Sequence, residues 1–445
     1  MADLLRIGAT ALSTYRSALN AVGENVANSQ TPGYSRRIVS LAEVGTGLNG
    51  ARSASASVQF NGVSVESIQR NWQERLARTA WDSGSRLGAA AVKQTWLQAI
   101  ETRLNEESAA IGASLSAVFA GADRLAANPG DRTLRVQWLG RIDSLTASFR
   151  QTHAGLRDVE QGIGDALAYS VDRANAALVQ LGSINSALKV APHGSALRAS
   201  LEDARDGQIN ALTEELDADI VLGPQGEVSA RHGSAVMIDA AGARTLRTIN
   251  HSDGTRAVAA INAADIVDIT PAAGKIAGHL AADATAKSQL SAINNLALSV
   301  ASRFNSWSAA GINQSGVSGS PLFQGADAAS LTALITNPDQ LAFARAGQAA
   351  NANLQALSAS RGSWALEEGW TGISTLAASQ SAAASVEHGA ADTLHQSNLS
   401  ALDSVTGVDL DQEAAELLRL QLAYNAAARI VRVAQETINE VIQIL

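Results

Sequence analysis

The chain has 445 residues and a net charge of −9, with 46% hydrophobic residues, only 4% aromatic residues and no cysteine. Without cysteine there is no disulfide framework, thiolate metal site or cysteine nucleophile, and the acidic balance leaves no electrostatic footprint for nucleic acid. The length exceeds one ordinary core and predicts two or three domains, and the abundance of small side chains favours close helix packing over rigid pockets.

At the N-terminus Leu5, Gly8, Leu12, Tyr15, Leu19, Val22 and Val26 recur at alternating steps of three and four, the spacing of a heptad seam. The opening MADLLRIGATALSTYRSALN lacks a basic segment followed by a continuous apolar core, so a cleavable signal is not expected and export would use another route. The helix should end inside NVANSQTPGYSRR, where Asn28 tolerates left-handed backbone and Pro32-Gly33 favours a tight turn. RRIVSLAEV then reads as a strand. SASVQFNGVSVESI alternates around Asn61-Gly62 and predicts a β-hairpin near 57–68.

From about Gln69 to Asp219 the pattern is long helices, broken at Asn128-Pro129-Gly130 and at Pro192-His193-Gly194. Short β-like runs follow between Gly-rich turns, and helical character returns near 279–311. The loop GINQSGVSGSP precedes further helix. At the far end Leu417, Leu420, Tyr424, Ala427, Val431, Ala434, Ile438, Val441 and Leu445 step by three and four. Asp409 and Gln412 have capping-box spacing, and Asp411 and Glu413 suit the positive end of the helix dipole. A seam of this kind at each end has to be buried against a partner, and the basic N-terminal stretch suits the more acidic C-terminal one. No apolar run approaches the roughly 18 residues of a membrane span, so membrane insertion is not expected.

The expected fold is mainly α with a small inserted β domain, elongated and nested. Residues 1–35 and 405–445 pair as a terminal coiled coil, 36–216 and 280–404 form a helical body, and 217–279 form the outer β domain.

Chemistry finds little support. GTGLNG at 45–50 matches a dinucleotide fingerprint literally, but no amphipathic helix follows to receive a pyrophosphate. The seven histidines are scattered without metal-ligand spacing and read as solvated surface residues. Glu106-Glu107 and Glu214-Glu215 are adjacent pairs that point different ways on a helix, as solvated or capping residues do. The seven tryptophans read as core, with Trp364 and Trp370 as candidate surface anchors. No catalytic residue, cofactor or metal is expected.

SALNAVGENVANSQTPGYSRR resembles the N-terminal signature of the axial proteins of the bacterial flagellum, and GVDLDQEAAELLRLQLAYNAAARIVRVAQETINEVIQIL resembles their C-terminal signature. Within that superfamily the hook-associated junction proteins are most similar, because Ser-Arg follows Thr31-Pro32-Gly33-Tyr34 and long helices replace the β structure of rod and hook proteins. The resemblance implies a structural subunit joining hook to filament, secreted through the flagellar type III apparatus and ending up in the extracellular flagellum. It implies as partners the hook protein, a second hook–filament junction protein, neighbouring copies of the chain and an export chaperone at the C-terminal helix. Carried onto this sequence, the assembly contacts would be Leu12, Leu19, Asn25, Asn28, Thr31, Pro32, Gly33, Tyr34, Arg36, Leu417, Leu420, Tyr424, Val431 and Ile438. Larger members carry an additional outer domain for which this chain has no room. A rod or hook protein, or a type III secreted helical adhesin or effector, would share parts of the pattern.

Overall fold

The computed structural model describes residues 2–44, 62–105, 110–261 and 266–444. Helix α1 (Ala2–Asn28) stops where the sequence loses its apolar stripe, and the carbonyl of Asn28 accepts from Thr31 N at 2.9 Å. Gly33 then takes φ 78°, the left-handed turn that its missing Cβ permits. Strand β1 (Arg37–Glu43) pairs antiparallel with β2 (Val63–Arg70), with a slip in register between Ser40 and Leu41. The first half of the hairpin expected near 57–68 lies outside the described residues, as does GTGLNG. Its second half is β2, whose partner is β1. Gly62 enters β2 at φ 86° so close to α1 that a Cβ would lie 2.2 Å from Thr10 Oγ1.

The body begins with α2 (Glu74–Leu104) and α3 (Ile111–Ala127). Glu106-Glu107 lie outside the described residues. Helix α4 (Arg132–Leu188) has 57 residues, about 85 Å at 1.5 Å per residue. Its N-cap Asp131 accepts from Thr133 N and Leu134 N, and it is followed by α5 (Ala196–Glu215). The breaks after α3 and after α4 fall at the two Pro–Gly segments, as their turn chemistry dictates, whereas the one between Leu104 and Ile111 lies at neither.

Between α5 and α6 (Lys275–Ala309) lies the small β domain. One antiparallel sheet has the order β3 (Asp219–Leu222), β4 (Val228–His232), β5 (Ala235–Asp239), β6 (Gly242–Ala243). The other has the order β7 (Thr245–Asn250), β8 (Arg256–Ile261), β9 (Ile266–Ile269). Met237, Ile238, Leu246 and Val258 share a core with Leu178 and Leu181 of α4 and Ile209 and Leu212 of α5. The domain is therefore packed onto the body rather than tethered to it.

After α6 come the two-residue pair β10 (Phe323–Gln324) and β11 (Thr332–Ala333), a short 3-10 turn (Pro338–Gln340), α7 (Ala352–Trp364) and α8 (Leu366–Thr406). Ala365, in the left-handed region at φ 51°, separates the last two. The larger core gathers Phe119, Trp138, Phe149, Phe304, Trp307 and Phe343, with ring centroids 5.7–5.8 Å apart for Trp138–Phe343, Trp138–Trp307 and Phe119–Phe304. Trp370 is buried there and Trp364 stacks edge-on against Phe304, so neither is a surface anchor. The last helix, α9 (Leu410–Ile444), leaves the body and returns to α1.

Two readings of charged residues are corrected by burial. Glu215 is fully enclosed, held by Arg173 Nε at 2.9 Å and Lys275 Nζ at 3.4 Å, because α4, α5 and α6 converge on it. His279 is buried rather than solvated and accepts from Trp96 Nε1 at 3.1 Å, and burial with nearby Lys275 pushes its pKa down to about 4. His395 also faces inward, with Nδ1 3.1 Å from Ser83 Oγ on α2.

Candidate functional site: a polar clasp joining the two ends of the chain

Helices α1 and α9 run antiparallel, since Asn25 meets Glu413 at one end of the pair and Gly8 meets Val431 at the other. On α9 the deeply buried positions are Glu413, Leu420, Ala427 and Ala434, each 3% exposed or less and seven residues apart. That interval brings one side chain per two turns back to the same line. On α1 the buried face is made of small residues, Gly8, Ala11, Thr14, Ala18 and Ala21, with Val22 and Asn25 completing it. A Cβ on Gly8 would stand 2.5 Å from Val431 Cγ2, so the backbones approach through the absence of a side chain. Leu12, Tyr15 and Leu19 on α1, and Leu417, Tyr424, Val431 and Ile438 on α9, are half-buried along the flanks.

Past the last turn of this seam the contacts become polar. Asn25 is 1% exposed and makes four hydrogen bonds. Its Nδ2 donates to the Arg37 carbonyl and to Glu413 Oε2, both at 3.0 Å. Its Oδ1 accepts from Tyr34 Oη at 2.8 Å and from Arg37 N at 2.9 Å. An amide offers two donors and an oxygen with two lone pairs, so Asn25 is fully satisfied. Glu413 is itself fully buried, and its other oxygen accepts from Arg36 Nε at 2.6 Å. A buried carboxylate is tolerated because it is paired and hydrogen-bonded at both oxygens. The Arg36 backbone N donates to Thr406 O at 2.8 Å, so one residue ties the start of the body to both α8 and α9.

Tyr34 closes the other side, with the Arg37 guanidinium 5.2 Å from its ring centroid. Burial pushes its hydroxyl up to about 12, against the opposing pull of Arg37. Arg37 continues outward to Glu24 at 2.6 Å and Ser200 Oγ at 2.8 Å. Arg70 on β2 then meets Glu202, Asp203 and Asp206 of α5 at 3.1, 2.9 and 2.8 Å. Charge pairs thus run without a gap from the terminal helices into the body.

Of the residues singled out by sequence, the structure brings Asn25, Tyr34 and Arg36 together. It places Asn28 and Thr31 in the turn, where Thr31 Oγ1 bonds Asn28 Oδ1 at 3.2 Å. Thr31, Pro32 and Gly33 are exposed. Leu420 lies in the seam with Ala18 and Val22, and Leu19 and Leu417 pack at its edge. Sequence reasoning missed Glu413 as a partner and gave it only a dipole role. It also missed Arg37, although the Arg-Arg pair was visible, and Thr14, whose Oγ1 donates to the Val63 carbonyl at 2.8 Å. The clasp offers no nucleophile–base pair. Its amide, phenol and carboxylate are engaged with one another, which holds segments in place.

Comparison with known proteins gives the arrangement its setting. Residues 97–323, just over half of the chain, match the model of the flagellar hook-associated protein FlgK helical domain, and residues 5–34 match that of the flagella basal body rod protein. Flagellar hook-associated protein 1 of Salmonella typhimurium is 24% identical over 341 residues, which cover 73% of this chain and 59% of the relative. The protein of that name from Bacillus subtilis is 23% identical over 493 aligned positions, covering 97% of this chain and 96% of the relative. The chain thus spans less than two thirds of the length of the Salmonella relative but nearly all of the Bacillus one. The solved flagellar hook junction protein FlgK from Burkholderia pseudomallei shares the fold, with a TM-score of 0.50 and 18% identity over 55% of this chain and 46% of that one. With its helical body matched as one unit and its clasped N-terminal helix matched as another, the chain belongs to the family of the flagellar hook-associated protein FlgK.

Proposed function

We propose that this chain is a structural, non-enzymatic subunit of the bacterial flagellum that joins the hook to the flagellin filament. The observation that carries the proposal is the antiparallel pairing of α1 and α9 with an apolar face left over. Opposite the Leu420–Ala427–Ala434 line, α9 presents Leu418, Leu422 and Val433 at 61%, 72% and 58% exposure. A stripe of that kind on a helix already paired on its other side has use only for further partners. Those partners are neighbouring copies, the hook protein and a second junction protein in the assembled tube, and an export chaperone beforehand. In this reading Leu12, Leu19, Leu417, Tyr424, Val431 and Ile438 set the shape of the helix pair that neighbours meet. The turn at Asn28–Gly33 lies exposed beside it.

Helices over 74–104, 111–127, 132–188 and 196–215 support a junction protein over a rod or hook protein, which would carry β structure there. The chain leaves the cell through the flagellar type III apparatus and works outside it.

Replacing Leu418 and Leu422 together by Glu in the source bacterium tests this. Both side chains point away from the body, so the chain should fold and be exported. Filaments should be lost, with hooks left bare and flagellin free in the medium. Cells that keep normal filaments would sink the proposal.

A further inference from the structure

The Pro–Gly turn between α3 and α4 and the loop after α6 enclose a cleft of about 440 Å³ in which two arginines stand without a carboxylate partner. Arg135, on the first turn of α4, is 4% exposed. Its guanidinium lies over the Phe343 ring, 5.4 Å from the centroid, and donates to the Pro129 carbonyl, from Nε at 2.8 Å and also from Nη2. Burial pulls its pKa down, and Asp339 alone acts on it in the opposite sense, from beyond ion-pair distance. Arg345 lines the same cleft, half-buried, and its Nε donates to Asn353 Oδ1 at 3.1 Å. In a chain of net charge −9, most buried arginines reach an acid, as Arg37, Arg70, Arg198 and Arg205 do. Among the described residues these two do not.

What covers Arg135 indicates what the cleft takes. Gln314, on the exposed loop after α6, lies with its carboxamide against the guanidinium, and with the oxygen assigned inward, as hydrogen bonding requires, it accepts from Nη2 at 2.7 Å and Nη1 at 2.9 Å. One planar sp² oxygen shared by both terminal nitrogens is half of a bidentate guanidinium–carboxylate pair, made by a neutral stand-in. Burying a guanidinium against a neutral acceptor leaves its charge uncompensated. A carboxylate is isosteric with the carboxamide it would replace, so it fits this seat, where a bulkier phosphate does not, and it supplies the compensation.

We infer that the cleft between the α3–α4 turn and the loop after α6 is a binding site for a carboxylate, of the kind an Asp or Glu side chain of an adjoining polypeptide presents. Gln314 is the lid that the incoming group displaces. The site lies in the body, apart from the clasp, and stands whether or not the α1–α9 pair assembles as proposed.

The test uses the full ¹⁵N-labelled chain titrated with glutarate at constant ionic strength, following the arginine Nε–H signals of Arg135 and Arg345. Both signals should shift together and saturate, with inorganic phosphate binding more weakly. Arg135 holds the Pro129 turn and is left unchanged. Gln314→Glu, on an exposed loop, should occupy the seat from within and weaken glutarate binding by about tenfold or more, and Arg345→Gln should weaken it comparably. Shifts that never saturate, phosphate bound more tightly than glutarate, or full affinity in the Gln314→Glu chain would each overturn the assignment.

Discussion

Asn25 shows why a polar residue can sit in a helix seam at no loss. Each of its four bonding sites meets a partner, and three of the partners, the Arg37 N–H, the Arg37 carbonyl and the Tyr34 hydroxyl, lie within twelve residues of it. The fourth, Glu413, comes from the other end of the chain. Tyr34 makes this network sensitive to alkali. In the unfolded chain its hydroxyl ionises near 10, and in the folded chain burial pushes it up to about 12. Between those values the folded state keeps a proton that the unfolded state has lost. Its contribution to stability is therefore complete below pH 10 and is lost as pH rises towards 12. Thermal melts followed by circular dichroism at increasing alkalinity should fall more steeply for the native chain than for Tyr34→Phe. The variant should lose about 1 kcal/mol at neutral pH, the worth of one hydrogen bond. Of the four tyrosines in the chain, one late-ionising phenol should disappear from its absorbance titration. Identical alkaline slopes would remove Tyr34 from the account.

At the scale of the helix, two glycines in α1 carry opposite predictions. Gly23 faces open space, with nothing within 4 Å of a built Cβ, so Gly23→Ala should stabilise the helix by about 0.5–1 kcal/mol through propensity alone. Gly8 is pressed against Val431, so Gly8→Leu should force the pair apart at a cost of about 1–3 kcal/mol. Hydrogen exchange in α1 and α9 at neutral pH checks both, slower for the first and faster for the second. The same contrast explains what the sequence could disclose. Both terminal helices were legible from their apolar spacing, as were the Pro–Gly breaks of the body and the strand that became β1. The buried ridge of α1 was legible only at Gly8 and Val22, because Ala11, Ala18 and Ala21 carry little hydrophobic signal, and the larger Leu12 and Leu19 drew attention to the flank. In α9, Ala427 and Ala434, both on the expected seam, lie deeper than Val431 and Ile438, since small side chains take the line of closest approach. The clasp was half visible. Its local half lies in one motif, but nothing in the spacing says that Arg36 pairs with a residue 377 positions away.

Across the whole molecule the question is how far the outer β domain can move independently of the body. Arg256 on β8 reaches down between α4 and α6, pairing with Glu160 at 2.9 Å and with Asp283, both of which are nearly buried. Gly164 gives it room, since a Cβ there would lie 3.0 Å from the guanidinium carbon. Lys287 adds a bond of 2.6 Å to the Gly254 carbonyl in the turn before β8. A swinging domain would have to pull a cation away from two nearly buried carboxylates, leaving each with a single partner, which costs more than breaking exposed ion pairs. The β domain should therefore move as one piece with α4. Arg256→Met keeps much of the side-chain bulk and removes the charge, leaving Glu160 to Arg157 and Asp283 to Lys287. Because each carboxylate keeps one cation, the docking of β7, β8 and β9 should weaken by about 1.5–3 kcal/mol, the worth of a hydrogen bond to a charged group. Hydrogen exchange should quicken in those strands and in the facing turns of α4 and α6, while α1 and α9 keep their protection. Loss of protection spread evenly over the chain, or none at all, would mean that the shared apolar core rather than the ionic contact fixes the domain.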